Sequence, residues 1–463
     1  MTNYFYKMVR YSTQQLSESY LRCSFPSIEK FANDLNMTMS QVCIRKLKLN
    51  LNVSRYYAPV LIGMGGFADG FALLIASGAL LTLVPYFHLT SSYTGLIVSA
   101  PFIGSIIGAL AFGRLADITG RRVIFLNVLL FFVLGSLLSA IATVPSILLL
   151  SRFLVGIGIG GDIPVGGSLL AEISNRENRG RLVALQSLLW GVGGGAAAIV
   201  ALLFLPLGAE SWRYILGMGA VPPIVVLLLR RGLPESKIWS ASKKDDLKAQ
   251  PIDKQRFATK LSFVAIAFFI WTFILAIFAS YTPSFLVHAE GLSKAWALLI
   301  SGLQWMGFVG GTALTFKYVD RIGRRVMIIS SSIIVGVFLM VGYLLARSSI
   351  ALFVSDISII WVLGGVGYTI SSIYSNELFP TLFRSTSSGI GFASGRLGGY
   401  LSTLIFPTLL ISFGISPLFL MLAPLPMAVG LAGVSMAPRS ERKNLDELES
   451  EVIAAHSGSP RGK

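Results

Sequence analysis

Residues 113–122 read GRLADITGRR, and residues 316–325 read FKYVDRIGRR. The two stretches share an Asp-x-x-Gly-Arg-Arg motif, which occurs first at Asp117 and again at Asp320, 203 residues later. Each copy is short, strongly charged and enclosed between long apolar segments. Self-similarity at one fixed spacing indicates a duplicated structural unit.

Other landmarks recur at nearly the same spacing, namely Glu172 as Glu377, Arg179 as Arg384, and Pro234 as Pro438. The chain is therefore predicted to consist of two related halves. In membrane proteins, two repeats that enclose a substrate site are typical of secondary transporters. A channel or a membrane enzyme does not need this symmetry.

The composition of the chain requires a membrane. Of its 463 residues, 54% are hydrophobic and 13% are charged, whereas an ordinary soluble domain has roughly 25% charged residues. So few polar side chains cannot cover the surface of a soluble globule of this size. The motifs GxxxxGK[ST], HExxH and GxSxG are absent as well. We therefore expect no enzymatic activity, no cofactor and no metal.

Twelve apolar segments are long enough to cross about 30 Å of hydrocarbon. Six lie near 58–84, 93–113, 122–143, 147–172, 180–205 and 212–230, and six lie near 259–283, 292–316, 325–345, 349–371, 384–410 and 415–437. Lipid offers no partners for backbone polar groups, so each segment is predicted to be a helix. The predicted fold class is an all-α membrane protein with twelve transmembrane helices in two pseudo-symmetric six-helix bundles.

The basic residues lie almost entirely on one side of this arrangement. The opposite segment ends contain only Arg152, Arg213, Lys294 and Arg347 out of 38 lysines and arginines. The positive-inside rule then places both termini in the cytoplasm, with the chain in the cell membrane. The same asymmetry explains the net charge of +16 without a nucleic-acid partner.

The chain thus divides into five predicted parts. They are a cytoplasmic N-terminal extension (1–57), an N-terminal six-helix bundle (58–230), a cytoplasmic linker (231–258), a C-terminal six-helix bundle (259–437) and a cytoplasmic tail (438–463).

The stretch 113–122 resembles the loop-2/3 signature of the major facilitator superfamily. Other segments resemble three of its branches: the sugar porters at 152–161 and 234–239, the phosphate:proton symporters at 160–164, and the aromatic-acid and metabolite:proton symporters at 69–71 and 395–398. The resemblance covers about residues 58–450 and implies the major facilitator fold and transport by alternating access. Several positions depart from it. Phe316 and Ser385 stand where the family has glycine, the motif that begins at Pro438 differs from that of the sugar porters, and Ala72 stands where the symporters tend to carry a second acid.

The charged residues of the repeats are predicted to form a cytoplasmic gate that locks the helix ends while the outside is open. Its members are Gly113, Asp117, Gly120, Arg121, Arg122, Glu172, Arg179, Asp320, Gly323, Arg324, Arg325, Glu377 and Arg384. The simpler alternative is that these charges only orient the helices. That alternative explains the number of arginines, but it does not explain a fixed spacing that appears twice.

Three ionisable residues lie near the middle of apolar segments, where a charge is costly and usually functional. Asp69 and Asp162 are candidate proton-coupling residues, because a low dielectric favours the neutral acid. Arg396 is a candidate site for an anionic substrate. The alternative is a structural ion pair between the halves, with Asp162 satisfying backbone groups near Pro164.

Polar and aromatic side chains complete the predicted substrate cavity. We expect Gln186, Trp190, Trp271 and Gln304 to face it, since these side chains lie well inside their segments. Arg152 and Asp356 lie nearer segment ends and are weaker candidates.

We therefore expect a secondary transporter that moves a small polar metabolite (an organic acid, phosphate or a sugar-like molecule) together with protons. Its partners would be the substrate, protons and the lipid bilayer, with a monomer as the functional unit. A facilitative uniporter and a non-transporting nutrient sensor on the same fold are the two alternatives.

Overall fold

A computed structural model of the chain describes residues 39–230, 235–236, 238–240, 253–288, 291–345, 350–441 and 443–452. Most of the predicted extension 1–57 and of the linker 231–258, and Pro234 with them, lie outside the described residues. The chain divides into two units, residues 1–58 and residues 59–463. The second unit contains both repeats.

The first half contains six helices. They are α1 (Met39–Phe87), α2 (Ser91–Thr119), α3 (Arg121–Ala140), α4 (Pro145–Ile173), α5 (Arg179–Phe204) and α6, which consists of Ser211–Gly217 and Val221–Arg230. A 3₁₀ turn at Met218–Ala220 joins the two parts of α6.

The second half repeats this order. Its helices are α7 (Lys254–His288), α8 (Lys294–Ile322), α9 (Arg324–Leu345), α10 (Ile350–Glu377), α11 (Arg384–Phe413) and α12, which consists of Ile415–Leu422 and Pro424–Met436. A short helix α13 (Leu445–Ser450) follows in the tail.

The predicted twelve-helix architecture is confirmed. Among the described residues, ten stretches are long and apolar enough to span a membrane, and one of them, Arg179–Arg230, contains both α5 and α6. The remaining span is α11, which is 30 residues long but is less apolar because of its serines, glycines and two arginines.

The two halves meet along two equivalent helix pairs, α2 with α11 and α5 with α8. Small residues permit the close approach. At Gly113 in α2, an added Cβ would lie 2.8 Å from the backbone oxygen of Ser385 in α11. Because α2 corresponds to α8 and α11 to α5 in the repeat, one interface is used twice.

Each Asp-x-x-Gly-Arg-Arg motif lies at a sharper corner than the sequence predicts. The apolar pattern predicts a charged turn between residues 113 and 122, but α2 continues to Thr119 and α3 begins at Arg121. Gly120 is the whole connection, with φ of 113°, and Gly323 has φ of 97° at the equivalent corner. Only glycine adopts such a backbone readily, so one residue can reverse the chain direction.

Replacing Gly120 with alanine should destabilise the folded protein by about 1–3 kcal/mol, because a side chain strains this backbone conformation. The added Cβ would also lie 2.7 Å from a carboxylate oxygen of Glu235. Thermal unfolding of the purified protein measures the effect. The control is Gly310→Ala in α8, where nothing lies within 4 Å of an added Cβ. An equal melting temperature for Gly120→Ala and the wild type would contradict the strain argument.

Candidate functional site

A cavity lies between the two halves. Its wall on α1 runs from Leu73 to Leu80, toward the end of that helix opposite the Asp-x-x-Gly-Arg-Arg motifs. We call the end of the molecule that carries those motifs the motif face. The polar and aromatic lining residues are Ser77, Phe102, Arg152, Trp190, Thr272, Ser280, Tyr368 and Arg396.

A charged pair joins the halves beside this cavity. Arg396 of α11 lines the cavity and donates from Nη2 to Oδ2 of Asp69 in α1, at 3.3 Å. Asp69 has no exposed surface, and its Oδ1 has no hydrogen-bond partner. The guanidinium of Arg396 also stacks 4.4 Å from the ring centre of Phe392. Two of the three ionisable side chains that the sequence placed at mid-depth are thus in contact across the interface.

Asp162 lies elsewhere. It pairs with Arg230 at 2.5 Å, and neither side chain has any exposed surface. Arg230 also donates to the backbone oxygens of Leu61, Ile62 and Phe125 at 3.1–3.3 Å. The pair therefore ties α1, α3, α4 and α6 together inside the first half and does not line the central cavity. The sequence did not indicate Arg230, because a basic residue that ends an apolar segment resembles a boundary residue.

Of the four side chains that were predicted to face the cavity, one lines it and three lie elsewhere. Trp190 lines the cavity and stacks on Tyr368, with ring centres 5.4 Å apart. Gln186 is buried and donates to a backbone oxygen of α4, and Trp271 is fully buried and is not a lining residue of the cavity. Gln304 lines a separate, mostly apolar cavity within the second half. Helical phase alone was too coarse to separate these positions.

Arg152 is a cavity residue rather than a boundary residue. It lies seven residues into α4, about 10 Å along the helix, and is 3% exposed. It donates from Nη1 to the backbone oxygen of Ala72 and from Nη2 to that of Leu73, both at 2.9 Å. The position of Arg152 inside the helix was visible in the sequence, but its direction was not.

At the motif face, each repeated aspartate caps a helix of the other half. Asp117 accepts from the backbone nitrogens of Ser385 and Thr386 at 3.3 and 2.8 Å, and from the hydroxyl of Thr386 at 2.7 Å. Asp320 accepts from the backbone nitrogen of Arg181 at 3.2 Å. These donors begin α11 and α5, so each carboxylate interacts favourably with the positive end of a helix dipole.

Glu172 joins the two halves directly. Its carboxylate lies 2.5 Å from Arg121 of α3 and 2.9 Å from Arg384 of α11, and all three side chains are fully buried. Ser236 donates its hydroxyl to the same carboxylate. A single acid therefore holds guanidinium groups from both halves.

The second copy of this arrangement is similar but stays within its own half. Glu377 accepts from Arg324 at 3.0 Å and from the hydroxyl of Ser440 at 3.0 Å. Arg179 donates to the backbone oxygen of Lys443 at 3.2 Å. Ser236 and Ser440 were not predicted from the sequence, although they are 204 residues apart, as are Pro234 and Pro438.

Further charged side chains lie at the motif face, namely the gate candidate Arg325 and two glutamates that the sequence did not nominate. Glu235 accepts from the backbone nitrogens of Arg121 and Arg122, each at 3.1 Å, and so caps the start of α3. The carboxylate of Glu441 lies against Gly323 at the equivalent corner. Arg325 donates to a backbone oxygen of α12.

The tail is attached to the same face. Glu451 pairs with Lys260 at 2.9 Å and with Lys443 at 2.6 Å, and the backbone nitrogen of Asp253 donates to the oxygen of Val452. Burial raises the pKa of Glu451, but the hydrogen bonds and charges of the two lysines outweigh it and bring the pKa below its ordinary 4.5. This attachment is therefore present at neutral pH and weakens only in acid.

Two related six-helix halves, a cavity between them and a doubled charged network at one end define a membrane transporter for small molecules. Residues 62–373 match the model of the Major Facilitator Superfamily. This is more than half of the chain, and the chain belongs to that family.

Individual relatives agree with this assignment. The chain is 29% identical over 385 residues to the Inner membrane metabolite transport protein YgcS of Escherichia coli, covering 77% of this chain and 85% of the relative. It is 26% identical over 443 residues to the Glucose transporter GlcP of Staphylococcus epidermidis, covering 87% and 98%. The structure of the proton:xylose symporter XylE bound to 6-bromo-6-deoxy-D-glucose matches with a TM-score of 0.78 at 18% identity, covering 87% and 99%. At that identity the likeness to XylE establishes the fold.

Substituting Glu172 by glutamine should open the motif face. Removing the charged partner of buried arginines destabilises the closed motif face by about 3–5 kcal/mol. When the face opens, water hydrates the arginines and recovers part of this free energy. We expect the open population to rise at least tenfold. Distances between spin labels on exposed Thr119 and Arg321, one in each half, measure it after Cys23 and Cys43 are replaced by serine.

The matched control for this change is Glu177→Gln. Glu177 is exposed and pairs with exposed Arg176 at 3.7 Å, so little should change. An unaltered distance distribution in a folded Glu172→Gln protein would show that this carboxylate does not hold the face closed.

Proposed function

We propose that the protein is a secondary active transporter that carries a small polar metabolite across the cell membrane in symport with protons. The relatives named for metabolite, glucose and proton:xylose transport support this class. The observation that carries the proton coupling is the contact between Asp69 and Arg396, because it is a charged pair that crosses from one half to the other beside the cavity.

The contact gives protonation a mechanical consequence. An ionised Asp69 attracts Arg396 strongly because both side chains are buried, and this attraction holds α1 and α11 together. A proton on the free Oδ1 removes the charge and weakens the attraction. Movement of the halves and loading of a proton are then linked, as alternating access requires.

We assign a different role to Asp162. Its partner Arg230 belongs to the same half, so a rocking motion between the halves leaves this pair intact. The geometry supports a structural role in which the pair stabilises the packing of four helices. Of the two acids that the sequence nominated, Asp69 is therefore our candidate proton carrier.

The orientation follows from the distribution of charge. The basic residues concentrate on the side of the motif face, so we assign that face and both termini to the cytoplasm. The network around Glu172 and Asp117 then acts as a closed cytoplasmic gate, and the cavity extends toward the outer side. Release of cargo to the cytoplasm requires that Glu172 part from Arg384.

Asp69→Asn should abolish coupling without abolishing movement of the solute. Proteoliposomes that contain a pH-sensitive dye report proton entry when one solute from a panel of sugars and sugar acids, such as D-glucose, D-xylose and D-galacturonate, is added outside. In the wild type we expect solute-dependent proton entry, and in Asp69→Asn a drop of at least tenfold, with solute counterflow retained. Solute equilibration without proton entry in the wild type would indicate a uniporter, and binding without any movement would indicate a sensor.

The companion variant in this experiment is Asp162→Asn. It should lower the melting temperature, since it leaves Arg230 buried without its counter-charge, yet keep proton entry per folded protein within about twofold of the wild type. Replacing both partners, with Arg230→Met added, should restore part of the stability. Coupling that is lost in Asp162→Asn and kept in Asp69→Asn would reverse our assignment of the two acids.

A further inference from the structure

Arg152 is a buried cation without a buried anion. It is 3% exposed and lines the central cavity. Its two hydrogen-bond acceptors are neutral backbone oxygens, those of Ala72 and Leu73, and its Nε has no hydrogen-bond partner. Ala72 offers only that oxygen, since its side chain is a methyl group. Within the described ranges, no ion pair includes Arg152.

Most other buried arginines of the described chain are arranged differently. Arg179 is the exception, since it donates to the backbone oxygen of Lys443, but it lies at the motif face and has the charge of Glu377 nearby. Each of the following has a carboxylate oxygen within 3.3 Å: Arg121, Arg230, Arg324, Arg384 and Arg396. Arg396 is the second guanidinium that lines the cavity, and Asp69 balances its charge. With Asp69 ionised, the cavity therefore carries one uncompensated positive charge, which belongs to Arg152.

The free-energy cost of burying the Arg152 guanidinium without an anion indicates what kind of ligand this site would bind. Arginine stays protonated in proteins, and taking an ion out of water costs several kcal/mol unless an opposite charge offsets it. Carbonyl dipoles offset only part of that cost. The guanidinium has five N–H donors, and the two hydrogen bonds to α1 leave its Nε and further Nη hydrogens for another acceptor. An anion bound in the cavity would complete the site.

We propose that Arg152 binds the carboxylate of the transported metabolite, so that the substrate is a small monocarboxylic acid. One uncompensated charge matches a carboxylate, whereas a phosphate group carries about −1.5 to −2 near neutral pH. A planar guanidinium also suits a carboxylate in geometry. Phe102, Trp190 and Tyr368 form an aromatic wall on the same cavity, which suits an acid with a flat apolar ring. The inference rests on the proposed function in that the bound acid is also the cargo.

The test compares an acid with its uncharged amide. Nicotinate and nicotinamide have the same ring and nearly the same shape, and they differ in the charge that Arg152 would bind. Galacturonate and galactose make the same comparison for a sugar acid. Calorimetric titration of the purified protein in detergent, without a gradient, measures binding alone. We expect at least one acid to bind at least tenfold more tightly than its neutral partner.

Arg152→Gln should weaken binding of that acid at least tenfold and remove the preference over the neutral partner. Arg152→Lys keeps the charge, loses the planar donor geometry, and should weaken binding severalfold. If the glutamine variant does not fold, the lysine variant decides. The control is Arg213→Gln, because Arg213 also donates to backbone oxygens, those of Ala140 and Ala142, but does not line the cavity.

The proposal is overturned if neutral compounds bind as tightly as the acids, if the Arg152 variants bind the acid as the wild type does, or if neither acid binds at millimolar concentration. These outcomes are separate from failure of the proton coupling. A protein that binds the acid through Arg152 but takes up no protons with it would retain the carboxylate site and lose the symport mechanism.

Discussion

One carboxylate, that of Glu172, holds buried guanidinium groups from both halves of the chain. Within the part of the chain that the structure describes, no other carboxylate lies as close to either arginine. The closed arrangement of the motif face therefore depends on this contact. Burying three charges is tolerated only while all three remain together. In the proposed mechanism the same contact also determines which way the cavity faces, because a closed motif face leaves the opposite end for solute entry.

The repeat is used unequally, and this inequality has a functional meaning. Both aspartates of the motifs cap a helix of the other half, but only the first glutamate crosses between halves. In the second copy, Glu377 stays with Arg324, and Arg179 binds the backbone of the tail instead. In the proposed transport cycle, opening the motif face would break an ion pair on one side and a tail contact on the other.

The sequence predicts features that are local or repeated. Twelve helices follow from apolar length, and the two halves follow from the spacing of Asp117 and Asp320. Pairing partners are harder to predict, because they depend on how helices rotate against one another. Arg230 resembles a boundary residue until α6 is seen to direct it into the first half, and Gln304 has the right depth but faces another cavity. The hydroxyl at Ser440 was predictable, because it repeats Ser236 at the same offset as the flanking prolines.

The two buried ion pairs at mid-depth differ in whether both partners belong to the same half of the chain. Asp162 and Arg230 belong to one half, so a motion of one half against the other would leave their contact intact. Asp69 and Arg396 belong to different halves, so in the proposed mechanism a separation of the halves changes the cost of ionising the acid. A symporter needs a proton site whose affinity alternates with conformation. An acid fully satisfied inside one rigid body cannot provide this, however deeply it is buried, whereas an acid with a partner across the moving interface can.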